Sequence, residues 1–107
     1  MNIKAAKAIK KRIAKERIDI LLHLARDVFD YDVNLARLYV GLAFTFVKRF
    51  KVRLSFDKKY SFCRKCFVPW IDGKTVKHSI ADKGRVKIHT YECLSCGYTR
   101  RYIERII

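Results

Sequence analysis

The chain has 107 residues and a formal net charge of +15, from 25 Lys and Arg against 10 Asp and Glu. This length predicts one domain or a small domain with an extension, and a hydrophobic content of 50% excludes disorder by composition. The charge excess favours an anionic partner, and nucleic acid is preferred over a membrane surface, the rival suggested by the basic, amphipathic N-terminus.

The first predicted element is a long helix from about Lys4 to Phe29. Apolar residues recur at helical spacing on one face: Ile9, Ile13, Ile20 and Leu24. Four lysines form a cationic stripe on another face: Lys4, Lys7, Lys11 and Lys15. Farther along the helix, the face that carries these lysines is apolar, with Ile18 and Leu22. The N-terminal half is therefore expected to be solvated on one side, and the C-terminal half to be apolar over most of its circumference.

A second helix is predicted from about Val33 to Phe50, after the break at Asp30-Tyr31-Asp32. Asp32 is the candidate N-cap because its carboxylate can accept from free backbone N–H groups. Two helices joined by a short turn pack as an antiparallel hairpin. This hairpin cannot cover all its apolar surface, so the excess is expected to contact either the cysteine-containing C-terminal module or another protein. The candidate partner-binding residues are Ile18, Leu22, Leu38, Leu42 and Phe46.

Period-two patterns replace the helical pattern after a basic connector at residues 53–60. Val76, His78 and Ile80 alternate with polar neighbours, as do Val86, Ile88 and Thr90, and a last strand is predicted from Tyr98 to Ile103. Asp72-Gly73 and Asp82-Lys83-Gly84 mark turns. The predicted fold is α+β, with an N-terminal antiparallel helical hairpin (residues 1–52) and a small antiparallel sheet (within residues 61–107), together forming one compact unit.

The four cysteines form two Cys-x-x-Cys pairs, Cys63/Cys66 and Cys93/Cys96. Two such knuckles complete a closed tetrahedral Cys₄ zinc site, so we expect one structural zinc ion per chain and a zinc ribbon at residues 61–107. Disulfides would suit a secreted domain, but no signal-peptide pattern opens the chain, so a cytoplasmic location with reduced thiols is expected. A redox motif would need one reactive pair on a βαβ scaffold, and catalytic zinc would need an open coordination position.

Cationic side chains cluster along the first helix, in the connector with the first knuckle, and in the ribbon. Interleaved aromatic residues such as Tyr60, Tyr91 and Tyr102 suit stacking on unpaired RNA bases. No catalytic constellation is visible, and His78 and His89 are not needed as zinc ligands. The predicted RNA-binding residues are Lys4, Lys7, Lys11, Lys15, Arg53, Lys58, Lys59, Arg64, Lys65, Arg85, Lys87, Arg100 and Arg101.

Taken in order, these features resemble the archaeal ribonuclease P protein component 4 family. The resemblance covers essentially the whole chain: two N-terminal helices, a connector with Val52-Arg53-Leu54, a Cys-x-x-Cys, a turn with Gly73, and a second Cys-x-x-Cys-Gly followed by Arg100-Arg101. The cysteines are shared by many zinc ribbons. The order of long helix, apolar helix, basic connector and C-terminal ribbon is more specific.

The resemblance implies that the chain is an RNA-binding subunit of ribonuclease P. In that enzyme the RNA subunit, with bound magnesium, removes the 5′ leader of precursor tRNA, and no catalytic residue is expected in this protein. The family pairs with a second protein subunit of Sm-like barrel fold. The alternative function is a ribosomal or transcription-associated zinc-ribbon nucleic-acid-binding protein, and a third class is a stand-alone enzyme.

Overall fold

The computed structural model describes residues 2–105 and divides into two compact units, Met1–Pro69 and Trp70–Ile107. The helices and the first Cys-x-x-Cys pair belong to the first unit, and the sheet and the second pair belong to the second. The elements are α1 (Ile3–Val28), α2 (Val33–Phe50), α3 (Phe56–Lys59), β1 (Val76–Lys83), β2 (Val86–Cys93) and β3 (Thr99–Arg105). A helical hairpin followed by a three-stranded antiparallel sheet confirms the predicted α+β class.

Both long helices begin at a polar N-cap. Asn2 Oδ1 accepts hydrogen bonds from the N–H groups of Lys4 (2.7 Å) and Ala5 (3.2 Å) at the start of α1. The Asp32 carboxylate accepts from the N–H of Leu35 at 3.1 Å, which confirms the predicted cap of α2. These side chains satisfy backbone donors that have no partner within the helix.

The core of the first unit lies between α1 and α2 and is lined by small residues. Ala14 and Ala25 of α1 and Ala36 and Ala43 of α2 are buried, and their size allows close approach of the two helices. Larger buried side chains fill the remaining space: Ile18, Leu22, Val40, Val52, Leu54 and Phe62.

Two of the predicted partner-binding residues belong to this core. Ile18 is 0% exposed and Leu22 is 9% exposed, because both lie between the buried alanines on the face of α1 that packs in the hairpin. Their role in the structure is therefore internal packing. Leu38 is 57% exposed and Leu42 is 45% exposed, and Phe46 is half-buried, so these three remain available to a partner.

The connector contains a short helix, α3, that its sequence pattern did not predict. The Ser61 hydroxyl donates to the carbonyl of Lys58 at 2.6 Å and closes the turn after α3. Lys58 also forms an ion pair with Asp19 of α1. The connector is thus held against the first helix by a polar contact as well as by the buried Val52 and Leu54.

The second unit is a sheet with strand order β1-β2-β3 and antiparallel pairing throughout. Val76 lies opposite Cys93 in the first pair of strands, and His89 lies opposite Tyr102 in the second. Gly84, at a φ of 75°, allows the tight turn between β1 and β2. The strands predicted around Val76–Ile80, Val86–Thr90 and Tyr98–Ile103 are therefore present, each extended at its C-terminal end.

Candidate metal centre and nucleic-acid interface

The two Cys-x-x-Cys pairs have the same backbone geometry. Cys63 N–H donates to the carbonyl of Val68 and Phe67 N–H donates back to the carbonyl of Cys63, each at 3.0 Å. In the second pair, Cys93 N–H donates to the carbonyl of Tyr98 at 2.8 Å, and Gly97 N–H donates to the carbonyl of Cys93 at 2.9 Å. The fifth residue of each turn is left-handed: φ is 63° at Phe67 and 80° at Gly97. Each pair therefore closes a tight turn around its own thiols.

These turns bring four sulfur atoms together. The Sγ atoms of Cys63, Cys66, Cys93 and Cys96 all lie within 4.8 Å of one another. A tetrahedral zinc ion with Zn–S bonds of about 2.3 Å needs sulfur atoms about 3.8 Å apart, so the cluster is compatible with a structural metal site. The N–H groups of Lys65 and Cys66 point at Cys63 Sγ at 3.4 and 3.5 Å, as hydrogen bonds to a metal-bound thiolate would.

The two histidines of the sheet are hydrogen-bonded to each other. His78 Nε2 lies 3.0 Å from His89 Nδ1, and His89 Nε2 lies 2.8 Å from Glu104 Oε2. The His78 ring also stacks on Tyr91, with centroids 4.3 Å apart. This chain of polar contacts occupies one face of the sheet, and both histidines lie outside the four-cysteine cluster.

One cationic groove joins α1 to the connector. Lys15, Arg53 and Lys58, all predicted to bind RNA, line it together with Asp19. Asp19 pairs with Lys58, so this groove carries three cations and one anion. The sequence places Lys15 almost forty residues from Arg53, and packing of the connector on α1 brings them together.

A second, more strongly cationic notch lies between the N-terminal part of α1 and the C-terminal end of α2. Lys7 and Lys11 of the predicted cationic stripe line it, and Lys51, the C-cap residue of α2, contributes a third cation. Lys10 and Arg49 also line it, although neither was among the predicted RNA-binding residues. Residues three apart are neighbours on a helix surface, so the spacing of Lys7 and Lys10 was the one signal in the sequence that the cationic face of α1 includes Lys10. Lys4 is exposed in the first turn of α1.

The remaining predicted RNA-binding residues are dispersed. On β2 and β3, Lys87 and Arg100 share one face of the sheet and Arg101 lies on the other, while Arg85 is exposed in the turn before β2. On the first knuckle, Lys65 is exposed and the Arg64 guanidinium lies 5.9 Å from the Phe44 ring centroid. Lys59 is half-buried in α3.

One side of the helical hairpin is apolar and exposed. A depression there is lined by Ile20 and Leu21 of α1, Leu42 and Phe46 of α2, and the stem of Arg17. Ile20 is 58% exposed, and Leu38 lies one helical turn from Leu42 on the same helix. Across residues 2–105, no helix combines the length and hydropathy needed to cross a bilayer.

Comparison with known proteins identifies relatives over most of the chain. Residues 17–97 match the model of the RNAse P Rpr2/Rpp21/SNM1 subunit domain. The ribonuclease P protein component 4 of Pyrococcus furiosus is 41% identical over 87% of this chain and 79% of its own length. That of Sulfurisphaera tokodaii is 37% identical over 95% of this chain and 87% of its own length.

Two solved structures are similar as well. A chain in the cryo-EM structure of archaeal ribonuclease P with mature tRNA superposes with a TM-score of 0.79 and 31% identity, covering 89% of this chain and 79% of that one. The structure of Pfu Rpp21 gives a TM-score of 0.56 and 36% identity, covering 84% of this chain and 98% of its own. With its helical hairpin, its four clustered cysteines and these relatives, the chain belongs to the Rpr2/Rpp21/SNM1 family of ribonuclease P subunits, together with ribonuclease P protein component 4.

Proposed function

We propose that this chain is the RNA-binding zinc-ribbon subunit of ribonuclease P and supports the RNA subunit in removing the 5′ leader from precursor tRNA. The observation that carries the proposal is its similarity, over most of its length, to a chain of archaeal ribonuclease P solved with mature tRNA. The excess of cations supports the same conclusion, because cationic grooves concentrate an anionic partner. Enzymatic activity then belongs to the complex, with this protein contributing charge and shape.

The connector groove supplies part of the proposed RNA surface. Lys15, Arg53 and Lys58 come from separate elements, and Asp19 offsets only one of their three charges. Phosphate contacts of this kind orient RNA and replace metal ions that would otherwise screen its backbone. The cations of the second unit form a further proposed RNA surface, with the exposed Lys87 and the half-buried Arg100 on one face of the sheet.

The cysteine cluster supports a structural role for zinc. Four thiolates form a closed shell, which leaves no position for a reacting water. Zinc bound there would fix the two turns that begin at Cys63 and Cys93, which have the same pattern of backbone hydrogen bonds. We assign it no chemical step. Reduced thiols also suit a cytoplasmic location, where disulfides are rare.

The exposed apolar side of the hairpin is the proposed contact for a second protein subunit of Sm-like barrel fold. Ile20, Leu38 and Leu42 would each be removed from water by such a contact, and Phe46 would complete the surface. Burial of apolar area is the main source of affinity in protein association. The core residues Ile18 and Leu22 would support this surface from beneath.

A reconstituted ribonuclease P tests the proposed RNA role through its demand for magnesium. Replacement of Lys15, Arg53 and Lys58 by Ala is expected to raise the magnesium concentration needed for half-maximal cleavage of precursor tRNA, because metal ions must replace the lost protein cations. Activity at saturating magnesium should recover. A magnesium demand equal to that of the wild-type complex would show that the groove does not contact RNA.

A further inference from the structure

Resting on the proposed function, we propose that the notch between α1 and α2 is a dedicated binding site for the phosphodiester backbone of RNA. Its lining consists of five cations and one aromatic ring: Lys7, Lys10, Lys11, Arg49, Lys51 and Phe50. None of these lining residues is acidic, whereas the connector groove contains Asp19. The notch, of about 320 Å³, is as large as the smaller ligand sites of proteins.

Helix stability does not account for the lysines of α1. Lys7 lies one turn from both Lys10 and Lys11, so its neighbours repel it, and like charges at these spacings destabilise a helix. The first turn of α1 contains Lys4 and no acidic residue, although the N-terminus of a helix favours negative charge. These charges therefore oppose folding of the free protein and require an anion to offset them.

The cations at the end of α2 have a structural reason of their own, since positive charge near a helix C-terminus is favourable. Arg49 is also held in place, with its guanidinium 5.6 Å from the centroid of the Phe50 ring. Phe50 in turn stacks on Phe46, with centroids 6.0 Å apart. A guanidinium fixed on a ring presents a planar fork suited to phosphate oxygens. The apolar wall beside it strengthens the field inside the notch.

The occupant is an RNA strand because the notch opens onto the same helix as the connector groove. Lys15 lies four residues beyond Lys11, a rise of about 6 Å along α1. A continuous backbone can therefore pass from the notch to the groove lined by Lys15 and Arg53. An isolated small anion would need only one of the two sites.

The test compares two zinc-loaded, full-length variants of equal charge. The notch variant carries Lys7→Gln, Lys10→Gln and Lys11→Gln. Its binding to oligouridine is expected to weaken, with a log–log salt slope flatter by about 2, since each single-strand phosphate contact contributes about 0.7. Without RNA, the same variant is expected to melt at a higher temperature than wild type, because the repulsion along α1 is removed.

The control variant carries Arg12→Gln, Lys77→Gln and Lys83→Gln, three exposed cations outside the notch. The log–log salt slope of the control variant should change by less than half as much as that of the notch variant. Equal changes in the two variants would overturn the inference, because the notch would then act only through net charge. If polyglutamate displaces oligouridine at equal charge concentration, the notch binds an acidic protein segment and the inference also fails.

Two further outcomes separate this inference from the proposed function. If the notch variant loses helicity, the single exchanges Lys10→Gln and Arg12→Gln decide: a slope flatter by about 0.7 for Lys10→Gln alone supports the inference, and equal slopes in the two contradict it. If wild-type protein binds ribonuclease P RNA and the notch variant binds it with the same slope, the inference is wrong and the function stands. Failure of the wild-type protein to bind that RNA would overturn the function itself.

Discussion

Removal of zinc is expected to unfold the three-stranded sheet while α1 and α2 stay helical. Within the described strands only Val76 and Cys93 are buried, so the sheet has little apolar burial of its own. Metal binding in modules of this kind contributes about 10–16 kcal/mol of apparent free energy, which is as large as the whole stability of a typical small domain. The hairpin has its own core of alanines, Ile18 and Val40.

The measurement combines elemental analysis with hydrogen exchange at the amides of β2 before and after chelation. One zinc per chain and loss of protection in β2 are expected. Cys96→Ser should lose the metal, whereas Ser95→Ala in the same turn should retain it. A protein without zinc whose β2 amides stay protected would contradict a structural role for the metal.

Aspartate at two exposed apolar positions of the hairpin, Ile20→Asp and Leu42→Asp, is expected to abolish association with the proposed partner, a subunit of Sm-like barrel fold. A central interface residue contributes about 2–4 kcal/mol, and each 1.4 kcal/mol is a factor of ten in affinity. Two buried, unpaired carboxylates would therefore weaken binding by at least about a thousandfold. Titration calorimetry with that subunit measures the effect, and zinc content and helicity should stay unchanged.

Two matched variants separate the proposed interface from the fold. Leu22→Asp places a carboxylate in the hairpin core and should unfold the helices, since Leu22 is only 9% exposed. Ile103→Asp, at a position 62% exposed on β3, should leave both folding and association intact. Undiminished binding by the Ile20/Leu42 variant would place the partner elsewhere.

The helices and strands were predictable because their signals are local. α2 begins and ends at the predicted residues, since Asp32 caps it and the apolar periodicity stops at Phe50. Gly84 and Gly97 mark turns in which the backbone needs a positive φ. The left-handed Phe67 was not predictable in this way, because a bulky residue rarely adopts that conformation and the closing of the first knuckle imposes it.

The site was predictable in its cysteines and only partly in its surfaces. Two Cys-x-x-Cys pairs specify a metal cluster by spacing alone. In contrast, helices that are apolar over most of their circumference do not reveal which stripe forms the core. The buried alanines mark the packed stripe of each helix, and Ile18 and Leu22 lie on the stripe of α1 between Ala14 and Ala25. The shared role of Lys10 and Arg49 was not predictable, because only the packing of α1 on α2 brings them to one notch.

The identity of the RNA that co-purifies with the chain tests the central claim most directly. The full-length protein, isolated from its native cells under low salt, should carry ribonuclease P RNA as its most enriched RNA, and its strongest protein companion should be a subunit of Sm-like barrel fold. The family match favours this result over the ribosomal and transcription-associated alternatives. Enrichment of ribosomal RNA or of DNA, with no ribonuclease P RNA above background, would contradict it.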